Sequence, residues 1–263
     1  MTTDYIAGER FAELPEKTGL KNLVYCKIDQ ANDLLNNPPS YDFVLITHNG
    51  DGNITDNPTR PWDADIRLMP QNLKMWFGQN VCVKNERIQS IPIGLENSQW
   101  FPEIKKRDVI TEIQTRKHAP RLTNFVYANF NIATNPVERQ YAFDCVKDYA
   151  WCTADMKFNG MDYQNYMDNI WGHSFVMCPD GNGIDTHRLW ETLYAGSIPI
   201  VKSGVNTRFY AKLPIVYVND WVEVNDIVFK CKPDIFKSFN YWNYEMLTFK
   251  YWQDLIIKTC QSI

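Results

Sequence analysis

Residues 175–201 read FVMCPDGNGIDTHRLWETLYAGSIPIV and place a glycine-rich polar turn between two short apolar runs. The first run, 175–178, is typical of a buried strand, and the proline and glycines of 179–183 stop that strand because they favour turns. We expect the glycines and the asparagine of this turn to occupy positive-φ positions. Residues 186–194 predict a helix that Gly196 ends, and the apolar run after it predicts the next strand. This order of elements predicts an α/β fold.

The turn and the helix after it have the composition of an anion-binding site. Asp185 or Thr186 can cap the first helical turn, whose free N–H groups and positive dipole end stabilise anions. Arg188 and Glu191 are three residues apart and share one helix face, where they can bind phosphate oxygens and ribose hydroxyls respectively. The sequence therefore predicts a diphosphate-binding group consisting of Gly181, Asn182, Gly183, Asp185, Thr186, Arg188 and Glu191. The alternative is an ordinary strand, turn and helix in which Arg188 and Glu191 pair on the surface.

The same segment resembles the donor-binding part of exostosin-like glycosyltransferases, whose pattern runs C-P-x-G-x-G-x-D-(S/T)-x-R-(L/F)-W-E-A-L-x-x-G-(C/S)-I-P-(V/I). The residues that match it are Cys178, Pro179, Gly181, Gly183, Asp185, Thr186, Arg188, Leu189, Trp190, Glu191, Leu193, Gly196, Ile198 and Pro199. The chain departs from the pattern at Asp180, where a basic residue often stands, and at Thr192, which replaces alanine. The first departure leaves the identity of the sugar open.

The resemblance extends over residues 122–201 and implies a GT-B fold, in which two Rossmann-like domains face a central cleft. An N-terminal domain, 1–117, would bind a saccharide acceptor, and a C-terminal domain, 118–263, would bind a nucleotide sugar and end in a closing helix. The implied reaction inverts the anomeric centre and needs no metal. No cofactor is expected beyond the nucleotide-sugar co-substrate, for which a UDP-sugar is favoured over a GDP-sugar.

Composition narrows the choice of partner and compartment. The chain has 263 residues, 44% hydrophobic content and a net charge of −4, which fits one large or two small domains and argues against a broad nucleic-acid surface. No apolar run approaches the roughly 20 residues that span a bilayer, and the first residues do not form a signal peptide. Seven cysteines without a C-x-x-C pair predict reduced core thiols and a cytoplasmic protein.

A second strand, polar loop and helix unit precedes the first in the chain. Residues 122–128 predict a strand, and 137–150 predict a helix with Pro136 at its first position. Arg139 lies in the first helical turn, where a cation is poorly placed unless an anion is present. The predicted phosphate ligands of this unit are Asn129, Asn131, Thr134, Asn135 and Arg139. The alternative is that the amides form turns and that Arg139 is a surface charge.

The N-terminal half shows the same alternation. It predicts strands at 23–26, 43–47, 81–83 and 88–93, and helices at 30–35 and 71–78. The mixed-charge stretch 105–118 predicts a solvated helix or linker between the domains, and 241–260 predicts a closing helix with an apolar stripe.

Two strand-end loops of this half supply the candidates for a catalytic base. Ligands of open α/β sheets bind beyond the carboxyl ends of the strands, where 48–53 and 94–97 lie. The favoured base is Asp51, with His48 and Glu96 as alternatives. A purely structural role for this loop is an equally open alternative, because the side chain of Asp51 can hydrogen-bond to the backbone of its own turn.

No metal site is predicted. Asp63 and Asp65 form a D-x-D triplet, but they do not follow an apolar strand, and the four histidines are scattered. Two further classes of function stay open: a glycosyltransferase that acts on a modified nucleic-acid base, and a non-catalytic module that binds nucleotide sugars. A basic cleft would indicate the first, and binding without turnover would indicate the second.

Overall fold

A computed structural model describes residues 2–100, 106–116, 125–155, 161–230 and 241–263. Strands and helices alternate along the chain, and every strand pair of its sheets is parallel. The α/β fold class predicted from the sequence is therefore confirmed. The predicted boundary at 117/118 lies outside the described residues and stays a prediction.

The strands of the described residues are β1 (Leu23–Lys27), β2 (Phe43–His48), β3 (Ile54–Thr55), β4 (Ala64–Asp65), β5 (Leu73–Gly78), β6 (Ile88–Ser90), β7 (Val126–Ala128), β8 (Cys152–Ala154), β9 (Phe175–Met177), β10 (Ile198–Lys202) and β11 (Val216–Val218). The α-helices are α1 (Gly8–Ala12), α2 (Leu14–Thr18), α3 (Ala31–Asn36), α4 (Lys106–Thr115), α5 (Pro136–Asp144), α6 (Tyr163–Gly172), α7 (His187–Tyr194), α8 (Val205–Arg208), α9 (Val224–Lys230) and α10 (Phe249–Gln261). Short 3-10 turns occupy Ile28–Gln30, Ile66–Leu68, Ile132–Thr134, Trp221–Glu223 and Tyr244–Leu247.

Two parallel sheets organise these elements. The N-terminal sheet has the order β1-β2-β5-β6, and β3 pairs separately with β4. The C-terminal sheet has the order β11-β10-β9-β7-β8, so the direction in which strands are added reverses between β7 and β9. Such a reversal opens a crevice at the carboxyl ends of the two strands, where open α/β sheets bind ligands. The loops after β7 and β9 are the two that the sequence predicts as phosphate-binding.

The C-terminal helix α10 packs across both halves of the molecule. The ring of Phe249 lies 5.0 Å from that of Phe11, and its backbone N–H donates to the carbonyl of Asp4 at 2.9 Å. At the other end of the helix, the amide of Asn22 donates to the carbonyl of Cys260 at 2.8 Å. The end of the chain therefore joins the N-terminal sheet to the rest of the core.

Helix α4 occupies the described part of the predicted interdomain helix. It packs on α6 and α7 of the C-terminal half, and Ile110 and Ile113 are buried there. A mixed-charge sequence can thus carry a buried apolar face as well as a solvated one. In the described residues no helix has the length and apolar character needed to cross a membrane.

The helix predicted at 71–78 is wrong, because Leu73–Gly78 forms strand β5. This strand lies between β2 and β6, and its residues Leu73, Trp76 and Phe77 are buried. Pairing on both edges and burial override the helix propensity of its lysine and methionine. The strand predicted at 81–83 is also absent, since Val81 makes only an isolated bridge to Ile54.

The predicted positive-φ turn at 179–183 is wrong as well. In the described part of the chain positive φ occurs at Asn49, Asn80, Gly19, Gly94 and Gly196. The turn glycines are instead required by close contacts. A Cβ on Gly181 would lie 2.7 Å from an Arg139 guanidinium nitrogen, and one on Gly183 would lie 2.6 Å from the Asn80 amide nitrogen.

Replacement of Gly196 by alanine should destabilise the fold by about 1–2 kcal/mol, the cost of a left-handed conformation for a residue with a Cβ. This glycine ends α7 with a φ of +73°, and nothing lies within 4 Å of an added Cβ, so backbone strain is the expected cause. Urea unfolding measures the change in free energy. Gly196→Asn is the matched control and should lose less, because asparagine tolerates this conformation better. Equal losses in both variants would contradict the strain argument.

Candidate functional site

A cavity of about 860 Å³ lies between the carboxyl edges of the two sheets. The N-terminal half contributes Lys27, His48, Asp51, Glu96, Gln99 and Trp100 to its wall. The C-terminal half contributes Asn129, Arg139, Gly181, Arg188 and Glu191. The position agrees with the crevice that the strand order of the C-terminal sheet creates.

Arg139 holds together the two loops at this crevice. Its Nε donates to the carbonyl of Asp180 at 2.9 Å and its Nη1 to the carbonyl of Asn131 at 2.8 Å. The side chain of Asn135 donates to the carbonyl of Gly181 at 3.3 Å. Asn131 and Asn135 therefore brace the loops and do not line the cavity, contrary to their predicted role as phosphate ligands. Arg139 braces the loops and also faces the cavity.

The side chain of Arg188 is buried beside the cavity, and no described acidic group lies within ion-pair distance of it. Only 8% of its surface is exposed, and its Nη1 has no hydrogen-bond partner in the described residues. The guanidinium carbon lies 5.1 Å from the ring centre of Tyr166 and 5.9 Å from that of Phe130. No ion pair found among the described residues includes this arginine. Since an unpaired buried cation is costly, the arrangement suits a bound anion.

Asn129 presents a second unsatisfied polar group at the same place. It follows β7 directly and is 1% exposed, and neither atom of its amide has a hydrogen-bond partner in the described part of the chain. Buried amides are nearly always hydrogen-bonded, so this one calls for a partner in the cavity. Asn129 and Arg188 together define a polar ligand position at the crevice.

Glu191 lies on the cavity wall and is held by two tyrosines. The hydroxyl of Tyr163 donates to its Oε1 and that of Tyr166 to its Oε2, each at 2.9 Å. Burial raises the pKa of Tyr166 far above its usual value, which keeps this hydroxyl protonated as a donor. Each carboxylate oxygen retains a further acceptor position for a ligand hydroxyl. The alternative in which Arg188 and Glu191 pair on the surface is wrong, because both residues are buried and form no ion pair with each other.

Asp185 joins the two halves of the molecule. Its Oδ2 accepts from the backbone N–H of Ile93 at 2.8 Å, and its Oδ1 accepts from the indole of Trp190 at 2.9 Å. Its own N–H donates to the side chain of Asn80 at 2.9 Å. Burial raises the pKa of this carboxyl to about 6. Asp185 is thus mainly a structural connection at the edge of the cavity.

The start of α7 is left without a side-chain cap. Thr186 is its N-cap residue, but the threonine hydroxyl makes no capping hydrogen bond, which corrects the predicted cap. Residues Thr186, His187 and Arg188 at this helix N-terminus line the cavity, and a helix N-terminus favours negative charge.

Further bonds tie the loop before α7 to the N-terminal half. Arg60 donates from Nη1 to the carbonyl of Asn182 at 2.7 Å, and His187 bonds through Nδ1 to the carbonyl of Gly94 at 2.8 Å. Arg60 is positioned by Asp63, whose buried carboxylate also accepts N–H groups of residues 53, 59 and 60. Asp63 is therefore a loop anchor, and no group of three or more potential metal ligands is found in the described residues.

The three predicted base candidates all line the cavity, but their side chains differ in burial and in hydrogen bonding. His48 is 1% exposed, with Nε2 bonded to the carbonyl of Pro92 at 3.0 Å and Nδ1 accepting from a backbone N–H at 2.8 Å. Burial lowers the pKa of His48 to about 4. Asp51 is exposed, and no described group orients its carboxylate. Glu96 lies 3.4 Å from the Nε2 of His187.

About half of the residues on this wall were predicted from the sequence. Of the twelve predicted donor ligands, all except Asn131 and Asn135 line the cavity. Among the residues that were not predicted are His187, Tyr163 and Tyr166. The two tyrosines are three apart on α6, a spacing that could have indicated a shared partner. No protein-family model matches the chain, and no curated protein matches its sequence.

The free energy of unfolding of the protein should depend on pH through the carboxyl group of Asp180. Burial, reinforced by the negative charge of Glu138, raises the pKa of Asp180 from 3.8 to about 7. Between about pH 4 and pH 7 the folded protein therefore holds a proton that the unfolded chain has released. The contribution of Asp180 to the free energy of unfolding is fully present below about pH 4 and is lost as the pH rises through about 7.

Asp180→Asn removes this titration, so the variant should gain stability over the wild type as the pH rises. We expect the melting temperature of the variant to exceed that of the wild type by roughly 2–4 °C at pH 8, with a smaller difference at pH 4. Differential scanning calorimetry at both pH values measures the effect. A difference that is independent of pH would contradict the assignment.

Proposed function

We propose that the protein is a glycosyltransferase that moves a sugar from a nucleotide-sugar donor, with UDP-sugars favoured, to a saccharide acceptor. The observation that carries this proposal is that the buried guanidinium of Arg188 and the buried amide of Asn129 each have polar atoms with no hydrogen-bond partner among the described residues. Both border a cavity large enough for a substrate-sized ligand, at the point where the strand order of the sheet reverses.

The diphosphate of the donor would bind between the loops after β7 and β9. Arg188 offers an unoccupied donor, and Arg139 adds a second buried positive charge nearby. Burial, together with repulsion from the Arg188 guanidinium, lowers the pKa of Arg139 to about 10. A bound diphosphate would relieve this repulsion, and the uncapped start of α7 favours the same charge.

The nucleoside of the donor would extend toward Glu191. The tyrosine hydroxyls fix both carboxylate oxygens in place, so the remaining acceptor positions have defined directions. A carboxylate with this geometry suits the two vicinal hydroxyls of a ribose. The saccharide acceptor would enter from the opposite wall, which the N-terminal half supplies as in a GT-B enzyme.

Transfer would proceed with inversion and without a metal. The diphosphate leaves with the electron pair of its bond to the anomeric carbon, and Arg188 and the helix terminus stabilise the charge that develops. A group on the cavity wall takes the proton of the attacking hydroxyl.

Arg188→Ala should weaken the binding of UDP by about 10–150-fold, which corresponds to about 1.5–3 kcal/mol for a charge-assisted hydrogen bond. Isothermal titration calorimetry measures the affinity directly. Arg67→Ala is the matched control, since Arg67 is exposed and pairs with Asp65 away from the cavity. Unchanged binding in the Arg188 variant would contradict the diphosphate site.

Turnover of a UDP-sugar should persist in excess EDTA, because fixed positive groups of the protein stabilise the negative charge of the leaving diphosphate in the proposed site. The rate of UDP release, followed in a coupled assay with and without the chelator, gives the comparison. Loss of turnover that Mn²⁺ or Mg²⁺ restores, together with loss in Asp63→Asn, would show that the reaction depends on a metal. Binding of UDP without turnover would favour the non-catalytic module.

A further inference from the structure

His187 enters the cavity wall in a fixed orientation. It is the first residue of α7, and its Nδ1 lies 2.8 Å from the carbonyl oxygen of Gly94 in the opposite half. A carbonyl oxygen only accepts hydrogen bonds, so Nδ1 carries the ring proton of the neutral imidazole. The other nitrogen, Nε2, is then the one with a free electron pair.

The Nε2 atom of His187 lies 3.4 Å from Oε2 of Glu96. When the imidazole is neutral, both atoms are hydrogen-bond acceptors and do not satisfy each other. A hydroxyl group that approaches Nε2 from the cavity can donate to it, and a proton transferred to Nε2 is then stabilised by the nearby carboxylate. Both side chains line the cavity and remain accessible, with 31% and 24% of their surfaces exposed.

The other candidates lack this combination. The imidazole of His48 has both nitrogens bonded to backbone groups, so no nitrogen faces a substrate. The carboxylate of Asp51 is exposed, with no described residue to orient it. A catalytic base needs both reach and orientation, and His187 has both, because it lines the cavity and its ring is fixed by the carbonyl of Gly94.

We propose that His187 is the general base of the transfer and that Glu96 stabilises the imidazolium that it becomes. This inference rests on the proposed function. The O–H bond of the acceptor breaks, its proton passes to Nε2, and the oxygen forms a bond to the anomeric carbon. The bond from that carbon to the diphosphate breaks, and the diphosphate leaves with the electron pair. The imidazolium that results pairs with Glu96 until solvent removes the proton.

His187→Asn gives a selective test, because an asparagine amide can replace the N–H of Nδ1 but has no counterpart of Nε2. The cross-domain bond to Gly94 can therefore persist while the base is removed. We expect turnover to fall by about 10²–10⁴-fold. The melting temperature and the affinity for UDP should remain those of the wild type. Turnover is measured as UDP release from UDP-glucose, UDP-galactose, UDP-N-acetylglucosamine, UDP-glucuronate and UDP-xylose, with water or added saccharides as acceptor.

Glu96→Gln tests the stabilisation of the imidazolium by Glu96. This variant keeps the size of the side chain and loses the charge that stabilises the imidazolium, so kcat should fall at least about tenfold while KM for the donor is unchanged. A purely structural role for Glu96 would instead alter the melting temperature and leave kcat near that of the wild type, which would overturn this part of the proposal.

The outcomes separate this inference from the proposed function. If the wild-type protein neither binds UDP nor turns over any of these donors, the proposed function fails and the base assignment fails with it. If the wild type is active and His187→Asn retains turnover within about threefold, only the base assignment fails. A large loss in Asp51→Asn alongside an active His187→Asn would assign the base to Asp51 instead.

Discussion

The contact on which the site depends is the insertion of the Arg139 guanidinium between two loops. Its hydrogen bonds to the carbonyls of Asp180 and Asn131 fix the loops after β9 and β7 relative to each other. Gly181 lies so close to this guanidinium that a side chain there would displace it. The reversal of strand order opens the crevice, and Arg139 sets its shape. Arg188 and Asn129, with their unsatisfied polar atoms, then face a cavity of defined geometry.

A second constraint is the set of bonds that joins the two halves at the start of α7. Asp185 accepts from Ile93, Asn182 accepts from Arg60, and His187 bonds to Gly94. The loop proposed to bind the diphosphate is therefore held by the N-terminal half as well as by its own sheet. Binding of the donor should consequently also affect the wall at which an acceptor would be held, because the same short segment contributes to both surfaces.

Local patterns allowed a large part of the C-terminal half to be predicted. Helix α7 and strand β9 follow from apolar runs, a turn and Gly196, all within one short stretch of sequence. Strand β5 was missed because its state depends on pairing with β2 and β6, which the residues of β5 alone do not reveal. The roles of Asn131 and Asn135 were mistaken for a similar reason, since turn-forming amides and ligand amides have the same composition. The bonds from Tyr163 and Tyr166 to Glu191, and from His187 to Gly94, arise only from tertiary packing.

The central claim is that a diphosphate binds where Arg188 and Asn129 lie unsatisfied, and a crystal structure with UDP bound tests it most directly. The account predicts diphosphate oxygens within hydrogen-bond distance of the Arg188 guanidinium and the Asn129 amide, with the ribose hydroxyls at Glu191. UDP bound elsewhere on the molecule, or bound in this cavity with its diphosphate away from Arg188, would contradict the account.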